Sequence, residues 1–407
     1  MKRVRSGTPW SPHTRQLLKR IDRKSMKPKA QQGAVAVMVA GAMVMLLGFA
    51  ALAIDMGYLF VVRNELQNAA DAAAMAGAPC LYPRAECSNQ TAKGPDWGTA
   101  QQRAVQAVSL NKSSQTTLVG NTTDVAYGYW DITGSVAGLQ AVPPPSPAVS
   151  MPAVQVIVNR AGAENGGGVP VYLAKIFGVK TVPVSATAVA VVSNPGTFGP
   201  GGLFPVAITK CMYDQYWDSA NGKPKTATST TPPAGQTVPQ VVGQPYIFWV
   251  TSSYHAGPCE ASQWTTFDTP ANDVPTVRNL IANGNPDPAD TGQPAGVCPA
   301  PSGPGPDPTC TYIQPGTKTT LYDSVNACSA AGSKACEYVI LPVVQDLSPK
   351  TMQRIVAFAC VHIDQAVGGS GKYIQLEMSN NPDKCQGVNS GGVGPNYGAY
   401  TPPRLAG

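Results

Sequence analysis

The stretch "QQGAVAVMVAGAMVMLLGFAALAIDMGYLFVVRNELQNAADAAAMAGA" runs from Gln31 to Ala78 and opens as an apolar segment. No charged residue occurs from Ala30 to Ile54. As a helix that rises about 1.5 Å per residue, the part beginning at Gly33 would extend about 33 Å, enough to cross a bilayer core of about 30 Å. We therefore expect a transmembrane helix at residues 30–54.

Helical spacing continues beyond this span. Residues 55–78 lack proline and are rich in alanine, the strongest helix former. Apolar side chains recur every three or four residues, at Leu59, Val62, Leu66, Ala69, Ala73 and Ala76. We expect one helix that ends near Gly77. Its alanine stripe could pack on the chain's own globular part, or it could let a partner helix approach closely.

Charge is distributed very unevenly along the 407 residues. The net charge is +6, yet ten basic residues and a single acid lie in the arm formed by residues 1–29, from Lys2 to Lys29. The rest of the chain has 19 basic and 22 acidic side chains, which argues against a nucleic-acid-binding protein. A basic arm beside a span is typical of the cytoplasmic flank and binds lipid headgroups. We therefore expect a cytoplasmic N-terminus and an exported C-terminal region.

Two kinds of processing compete with a retained anchor. The tripeptide Ala51-Leu52-Ala53 fits signal-peptide cleavage, but the apolar region exceeds the about 7–15 residues of a usual signal sequence. Prepilin cleavage after Gly33 would require a glutamate five residues later, where this chain has Met38. The retained single-pass anchor is the preferred interpretation.

All ten cysteines follow the span, between Cys80 and Cys385. An even number on the exported side predicts disulfides formed in an oxidising compartment, with free buried cysteines as the alternative. No C-x2-C pair occurs, so the spacing does not indicate a zinc site. The sequence leaves the connectivity open, although the short loops Cys80–Cys87 and Cys328–Cys336 are the simplest pairs.

The segment from Gly33 to Ala78 resembles the N-terminal signature of TadG-like proteins, which belong to the tight-adherence (Tad or Flp) pilus systems of bacteria. The signature's arginine and leucine are replaced here by Gln32 and Met75. Apolar composition alone does not dictate the polar and small residues that carry the resemblance, namely Asp55, Gly57, Arg63, Leu66-Gln67 and Ala69-Ala70-Asp71.

Residues 79–193 alternate between helix and strand patterns. The stretch "WGTAQQRAVQAVSLN" predicts an amphipathic helix, and "VPVYLAKIFG" predicts a short helix ending at Gly178. Strands are expected at "VAYGYWD" (Val125–Asp131), "AVQVIVNR" (153–160) and "VPVSATAVAVV" (182–192). This order also resembles the region that follows the signature in many TadG-like proteins, to about Ser193.

The remaining chain predicts a second β-rich part. Residues 194–202, "NPGTFGPGG", indicate a linker. Residues 203–407 hold eight cysteines and five apolar islands of strand length, in "LFPVAITKC", "QPYIFWVTS", "EYVILPVVQDL", "QRIVAFACVHI" and "KYIQLEMS". The proline-rich residues 286–308 predict a long surface loop. The fold class is therefore α+β: a transmembrane helix, a periplasmic helix and a β-rich, disulfide-containing exported region.

No motif singles out a catalytic residue, a cofactor site or a metal site. "GGSGKY" lacks the Ser or Thr that a phosphate loop needs after its lysine, which predicts a simple turn before Tyr373. His362 and Asp364 lie two residues apart on one face of a predicted strand and could orient a base. No G-x-S-x-G motif supplies a nucleophile, and Cys360 is expected in a disulfide. His255 is expected in a loop, and we predict no enzymatic activity.

The resemblance implies a non-enzymatic component of Tad pilus assembly in the bacterial inner membrane, with roles in adhesion and biofilm formation. The partners it implies are single-span pilus proteins along the helix from Tyr58 to Ala76, and periplasmic or outer-membrane secretin components. The basic arm would contact lipid, and no nucleic acid is expected. The alternative is a membrane-tethered periplasmic binding module or adhesin, which predicts a saturable ligand and unaffected filaments. A tethered hydrolase is less favoured.

Overall fold

The computed structural model describes residues 31–82, 87, 95–142, 150–251, 259, 262–291, 298 and 307–406. The basic arm, His255 and much of the predicted loop at residues 286–308 lie outside these residues. The chain divides into two compact units, Met1–Met56 and Gly57–Gly407.

Helices form a minor part of the described fold. Short 3₁₀ helices occupy Ala78–Leu81, Thr122–Asp124, Glu164–Gly166 and Ala174–Phe177. The α-helices are α1 (Gln31–Gly77), α2 (Trp97–Val108), α3 (Lys210–Tyr216), α4 (Val274–Asn283) and α5 (Leu321–Cys328).

The first unit contains the apolar part of α1. Among the described residues, one helix is long and apolar enough to cross a membrane, and it lies near the N-terminus. Its large side chains, such as Val37 and Leu47, are exposed. A helix that is apolar all round requires an apolar environment, so this finding is consistent with a single-pass membrane anchor.

Most of the second unit consists of strands. Nine short strands of the described residues remain unlabelled, in the pair Val169–Pro170 with Thr181–Val182 and in similar small ribbons. The labelled strands are β1 (Val125–Asp131), β2 (Leu139–Gln140), β3 (Ser150–Arg160), β4 (Val184–Val191), β5 (Val206–Thr209), β6 (Ile247–Val250), β7 (Ser262–Trp264), β8 (Cys310–Tyr312), β9 (Tyr338–Val344), β10 (Met352–Val367), β11 (Tyr373–Met378) and β12 (Arg404–Leu405).

The first sheet is antiparallel, with the strand order β12-β4-β3-β1-β2. Alternation in β3 places Val154 and Val156 on the buried face, opposite Ala190 and Ala188 of β4. Small side chains on β4 leave room for helices to approach this face of the sheet. The predicted strand at Val125–Asp131 is confirmed to the residue.

The C-terminal part of α1 is a core element of the second unit. The side chains of Leu66, Ala69 and Ala73 are fully buried and belong to one apolar cluster with Ala100 of α2 and Val154 of β3. The side-chain amide of Gln67 donates a hydrogen bond to the carbonyl oxygen of Thr187 in β4, at 3.1 Å. The predicted single helix ending at Gly77 is confirmed, and its alanine stripe packs within the chain.

The second sheet has the order β6-β11-β10-β9-β5-β7, and β8 also pairs with β10. Its pairs are antiparallel except that β5 and β9 run parallel. The five predicted apolar islands are the strands β5, β6, β9, β10 and β11. The helices α3, α4 and α5 were not predicted, and all three pack into this sheet's apolar cluster. These observations confirm the α+β fold class.

Residues 194–202, which we expected to link two domains, are largely buried. The strand Thr197–Phe198 in this segment pairs with Ala289–Asp290 and with Ser390–Gly391. The Phe198 ring is fully buried against Phe358 of β10, with ring centroids 4.7 Å apart. The segment is therefore built into the fold, while a domain boundary at this position stays a prediction.

Five disulfides cross-link the exported region, and the described residues contain no free cysteine. The two short loops expected from the sequence are confirmed, and Cys360 is disulfide-bonded as predicted. The pairs are Cys80–Cys87, Cys211–Cys259, Cys298–Cys310, Cys328–Cys336 and Cys360–Cys385. Linking distant residues stabilises a fold by restricting the unfolded chain.

The close approach of α1 to α2 can be tested with matched glycine substitutions. A β-carbon at Gly77 would lie 2.6 Å from the carbonyl oxygen of Ala100, whereas one at Gly57 meets nothing within 4 Å. We expect Gly77→Ala to lower the free energy of unfolding by about 1–3 kcal/mol because the two helices must separate. Gly57→Ala, in the same helix, should leave stability unchanged or raise it. Equal denaturant midpoints for the two variants would contradict the packing.

Candidate functional site

The exposed side of α1 between Tyr58 and Ala76 is the first candidate surface. The sequence left open whether the alanine stripe packs within the chain or against a partner helix, and the structure buries it in the chain's own core. The opposite side is exposed and is called here the outer face. It consists of Phe60, Val61, Asn64, Asn68 and Ala72.

The start of this helical segment is held by two neighbouring loops. The Tyr58 hydroxyl forms a hydrogen bond with the Ser114 hydroxyl, and the Ser114 amide donates to the Glu65 carboxylate at 2.7 Å. The Tyr58 ring also meets the Tyr172 ring edge-on, with centroids 5.6 Å apart. These contacts fix Tyr58, which lies four residues after the last residue of the predicted span, to the folded unit.

A polar cluster on the second sheet contains the His–Asp pair identified from the sequence. The His362 ring lies 3.1 Å from Asp364 through Nδ1 and 3.3 Å from Glu337 through Nε2. Glu377 and Tyr338 are the cross-strand neighbours of His362 on β11 and β9. The expected pairing of His362 with Asp364 on one strand face is thus confirmed by geometry.

Electrostatics in this cluster favour the protonated forms. The hydrogen bond that the His362 ring donates to the Asp364 carboxylate raises the pKa of His362 above its ordinary value of 6.5, with a smaller contribution from Glu337. Burial, together with the charge of Asp364, raises the pKa of Glu377 to about 6. The cluster therefore takes up protons in the mildly acidic range, where an ordinary surface carboxylate is ionised.

The side chains of the cluster can take up and release protons. Cys360, the sulfur-bearing residue nearest in sequence, is oxidised, and "GGSGKY" forms the turn between β10 and β11 as predicted. Among the described residues, no group of three or more His, Cys, Asp or Glu side chains could hold a metal ion. The absence of catalytic, cofactor and metal residues stays a prediction.

The aromatic residues of β1 form a packing surface. Trp97 of α2 stacks on Tyr127 and meets Tyr129 edge-on, with centroids 5.4 and 5.5 Å away. The Asp131 carboxylate accepts a hydrogen bond from the Thr133 amide at 2.8 Å, and bonding to Thr133 lowers its pKa. These contacts agree with a sheet-face role for the aromatics and a turn role for Asp131.

The raised pKa values in the cluster predict how stability depends on pH. A raised pKa contributes stability that is fully present below the unfolded value and is lost as the pH rises through the folded value. The stability contributed by His362 begins to fall at pH 6.5, the ordinary pKa of this side chain. The stability contributed by Glu377 is fully lost above about pH 6. We expect the thermal midpoint of the full chain to fall as the pH rises through these values. The variant His362→Gln should show a flatter pH dependence above pH 6.5.

The exposed Glu164 provides the control, because Glu164→Gln should preserve the pH profile of the parent chain. A profile for His362→Gln that runs parallel to the parent at every pH would show that His362 does not carry the effect.

Two protein-family models match the chain. One, described as putative Flp pilus-assembly TadE/G-like, covers residues 33–79, and the other, described as putative Tad-like Flp pilus-assembly, covers residues 64–190. No curated protein and no solved structure matches. The two models overlap in the part of α1 that packs against α2 and the first sheet, and neither extends beyond residue 190. Residues 33–190 are therefore similar to putative Flp pilus-assembly proteins, through a TadE/G-like model and a Tad-like model.

Proposed function

We propose that the protein is a single-pass scaffold of Flp pilus assembly, anchored in the bacterial inner membrane with its folded unit in the periplasm. The observation that carries the proposal is the double use of α1, which supplies an apolar segment of spanning length and also the buried stripe of the folded unit. A protein built in this way can hold a periplasmic structure at the membrane. Its role would be mechanical, and the proposal assigns it no reaction.

Two properties of the chain support this orientation. The basic residues concentrate on the N-terminal side of the span, which is the cytoplasmic side in most membrane proteins. All ten cysteines follow the span and are paired in disulfides, which persist in oxidising compartments such as the periplasm.

The outer face is the part of α1 that remains accessible to a partner helix. Asn64, Asn68 and Ala72 are small or polar and recur every four residues, so they form a narrow ridge that another helix can approach closely. Phe60 and Val61 lie nearest the span and add apolar surface. We assign this face to other single-span pilus proteins, and the second sheet's side of the unit to periplasmic or secretin components.

The orientation can be tested by thiol labelling. A membrane-impermeant maleimide should not modify the native chain unless a reductant is added, because its cysteines are in disulfides. A cysteine introduced by Ser25→Cys in the basic arm should be labelled after the inner membrane is permeabilised and not in intact spheroplasts. Labelling of that variant in intact spheroplasts would reverse the orientation.

The assembly role can be tested in a strain that lacks the gene. We expect total pilin to be unchanged, surface filaments to be lost and pilin to stay in the membrane. A gene copy with Asn68→Trp should fail to restore filaments because the bulky ring blocks the outer face. A copy with Gln106→Trp, on the exposed side of α2, should restore them.

The outcomes separate the two functions considered. Filaments of normal number and length in the deletion strain would contradict the assembly role and favour a tethered binding module. Restoration by Asn68→Trp as well as by Gln106→Trp would leave the assembly role intact and remove the outer face as its partner surface.

A further inference from the structure

The hairpin formed by Val169–Pro170 and Thr181–Val182 ends in a loop that exposes large apolar side chains. Its connecting residues, 171–180, are called here the tip. Ile176 and Phe177 in the tip are 79% and 81% exposed. The sequence "VPVYLAKIFG" predicted a short helix ending at Gly178, and the structure has a single 3₁₀ turn at Ala174–Phe177 that leaves Ile176 and Phe177 exposed.

The hairpin is held to the rest of the unit without Ile176 and Phe177. Val169 and Val171 are buried, so the hairpin is already fixed to the unit. Gly178, with φ of +85°, ends the 3₁₀ turn in the left-handed conformation that glycine adopts freely. The exposed side chains of Ile176 and Phe177 are therefore not needed to hold the hairpin in place. Clustered exposed apolar groups mark interaction surfaces.

The position of the tip points to the membrane. The Tyr172 ring contacts the ring of Tyr58. Tyr58 follows Ile54, the last residue of the predicted span, by four residues, and four residues of chain reach at most about 14 Å. The headgroup region extends about 5–7 Å beyond each side of the hydrocarbon core. Chain connectivity alone therefore keeps the tip close to the headgroups of the leaflet where the span ends.

The positive charge of the tip also favours contact with a membrane surface. Lys175 and Lys180 are exposed, and no acidic residue occurs between Glu164 and Asp214. The Lys175 ammonium lies 6.0 Å from the centre of the Tyr172 ring. Lysines beside aromatic and aliphatic side chains are typical of segments that lie in the membrane interface, where the cations meet anionic phosphates.

We propose that the tip is a second membrane contact, in which Ile176 and Phe177 enter the lipid interface and Lys175 and Lys180 bind anionic phospholipid headgroups. This inference rests on the proposed function, because it requires the apolar part of α1 to lie in a bilayer. Two attachments, the span and the tip, would restrict how the folded unit turns about the span. The outer face would then be presented in a limited range of directions along the membrane.

The test uses the full chain in vesicles of phosphatidylethanolamine and phosphatidylglycerol, made with ordinary or brominated acyl chains. Bromine quenches the fluorescence of tryptophans that enter the acyl region. In Phe177→Trp, we expect brominated lipid to roughly halve the emission that the new tryptophan adds to that of the parent chain. Val242→Trp is the matched control, because Val242 is 58% exposed in a turn before β6, and its added emission should not be quenched.

A further variant tests the charges. Combining Lys175→Glu and Lys180→Glu with Phe177→Trp should reduce the quenching in vesicles that contain phosphatidylglycerol. Quenching that persists undiminished would overturn the headgroup assignment.

A carbonate wash separates failure of this inference from failure of the anchor. If the chain stays in the vesicles after the wash and the tryptophan of Phe177→Trp is unquenched, the tip does not contact lipid and the inference is wrong while the anchor stands. If the wash releases the chain, the anchor fails and the inference fails with it. Equal quenching in Phe177→Trp and Val242→Trp would also overturn the inference, because the contact would then not be specific to the tip.

Discussion

The buried contact between the alanine stripe of α1 and the first sheet is the constraint on which the second unit depends. Alanine and glycine allow the helix to approach so closely that an added β-carbon at Gly77 would meet the backbone of α2. The stripe shares one apolar cluster with α2 and with the buried side chains of β3 and β4, so it helps to cover this face of the sheet. The helix that bears the predicted span is therefore an integral part of the folded unit rather than an attached tether.

This arrangement shapes what the chain can offer to partners. With the stripe buried, the outer face is the part of the helical segment that we assign to other single-span proteins, and it combines two large apolar residues with three polar or small ones. The tip of the hairpin adds an apolar and basic surface at the same end of the unit, next to Tyr58. Four of the five disulfides and the second sheet lie in the portion that neither family model covers.

Much of the architecture could be predicted because it follows from local sequence. A spacing of three or four residues and the lack of proline predicted that α1 ends near Gly77, and alternation predicted the strand β3. What could not be predicted depended on tertiary contacts. The sequence left open which partner the alanine stripe has, since both alternatives need the same small residues. It also missed α3, a short helix whose start is set by the Thr209 side chain accepting from the Met212 amide at 3.2 Å.

In the candidate sites, too, local sequence predicted some features and tertiary contacts decided the others. The His362–Asp364 pairing followed from alternation within one strand. Glu337 directly precedes β9 and Glu377 lies in β11, so only the register of these strands against β10 brings them near. The most direct test of the account compares an exported chain that begins at Gly57 with one that begins at Ala78. The first should resist protease and unfold at the same denaturant midpoint as the full chain, and the second should be degraded. Equal stability of the two chains would contradict the central role of the buried helix.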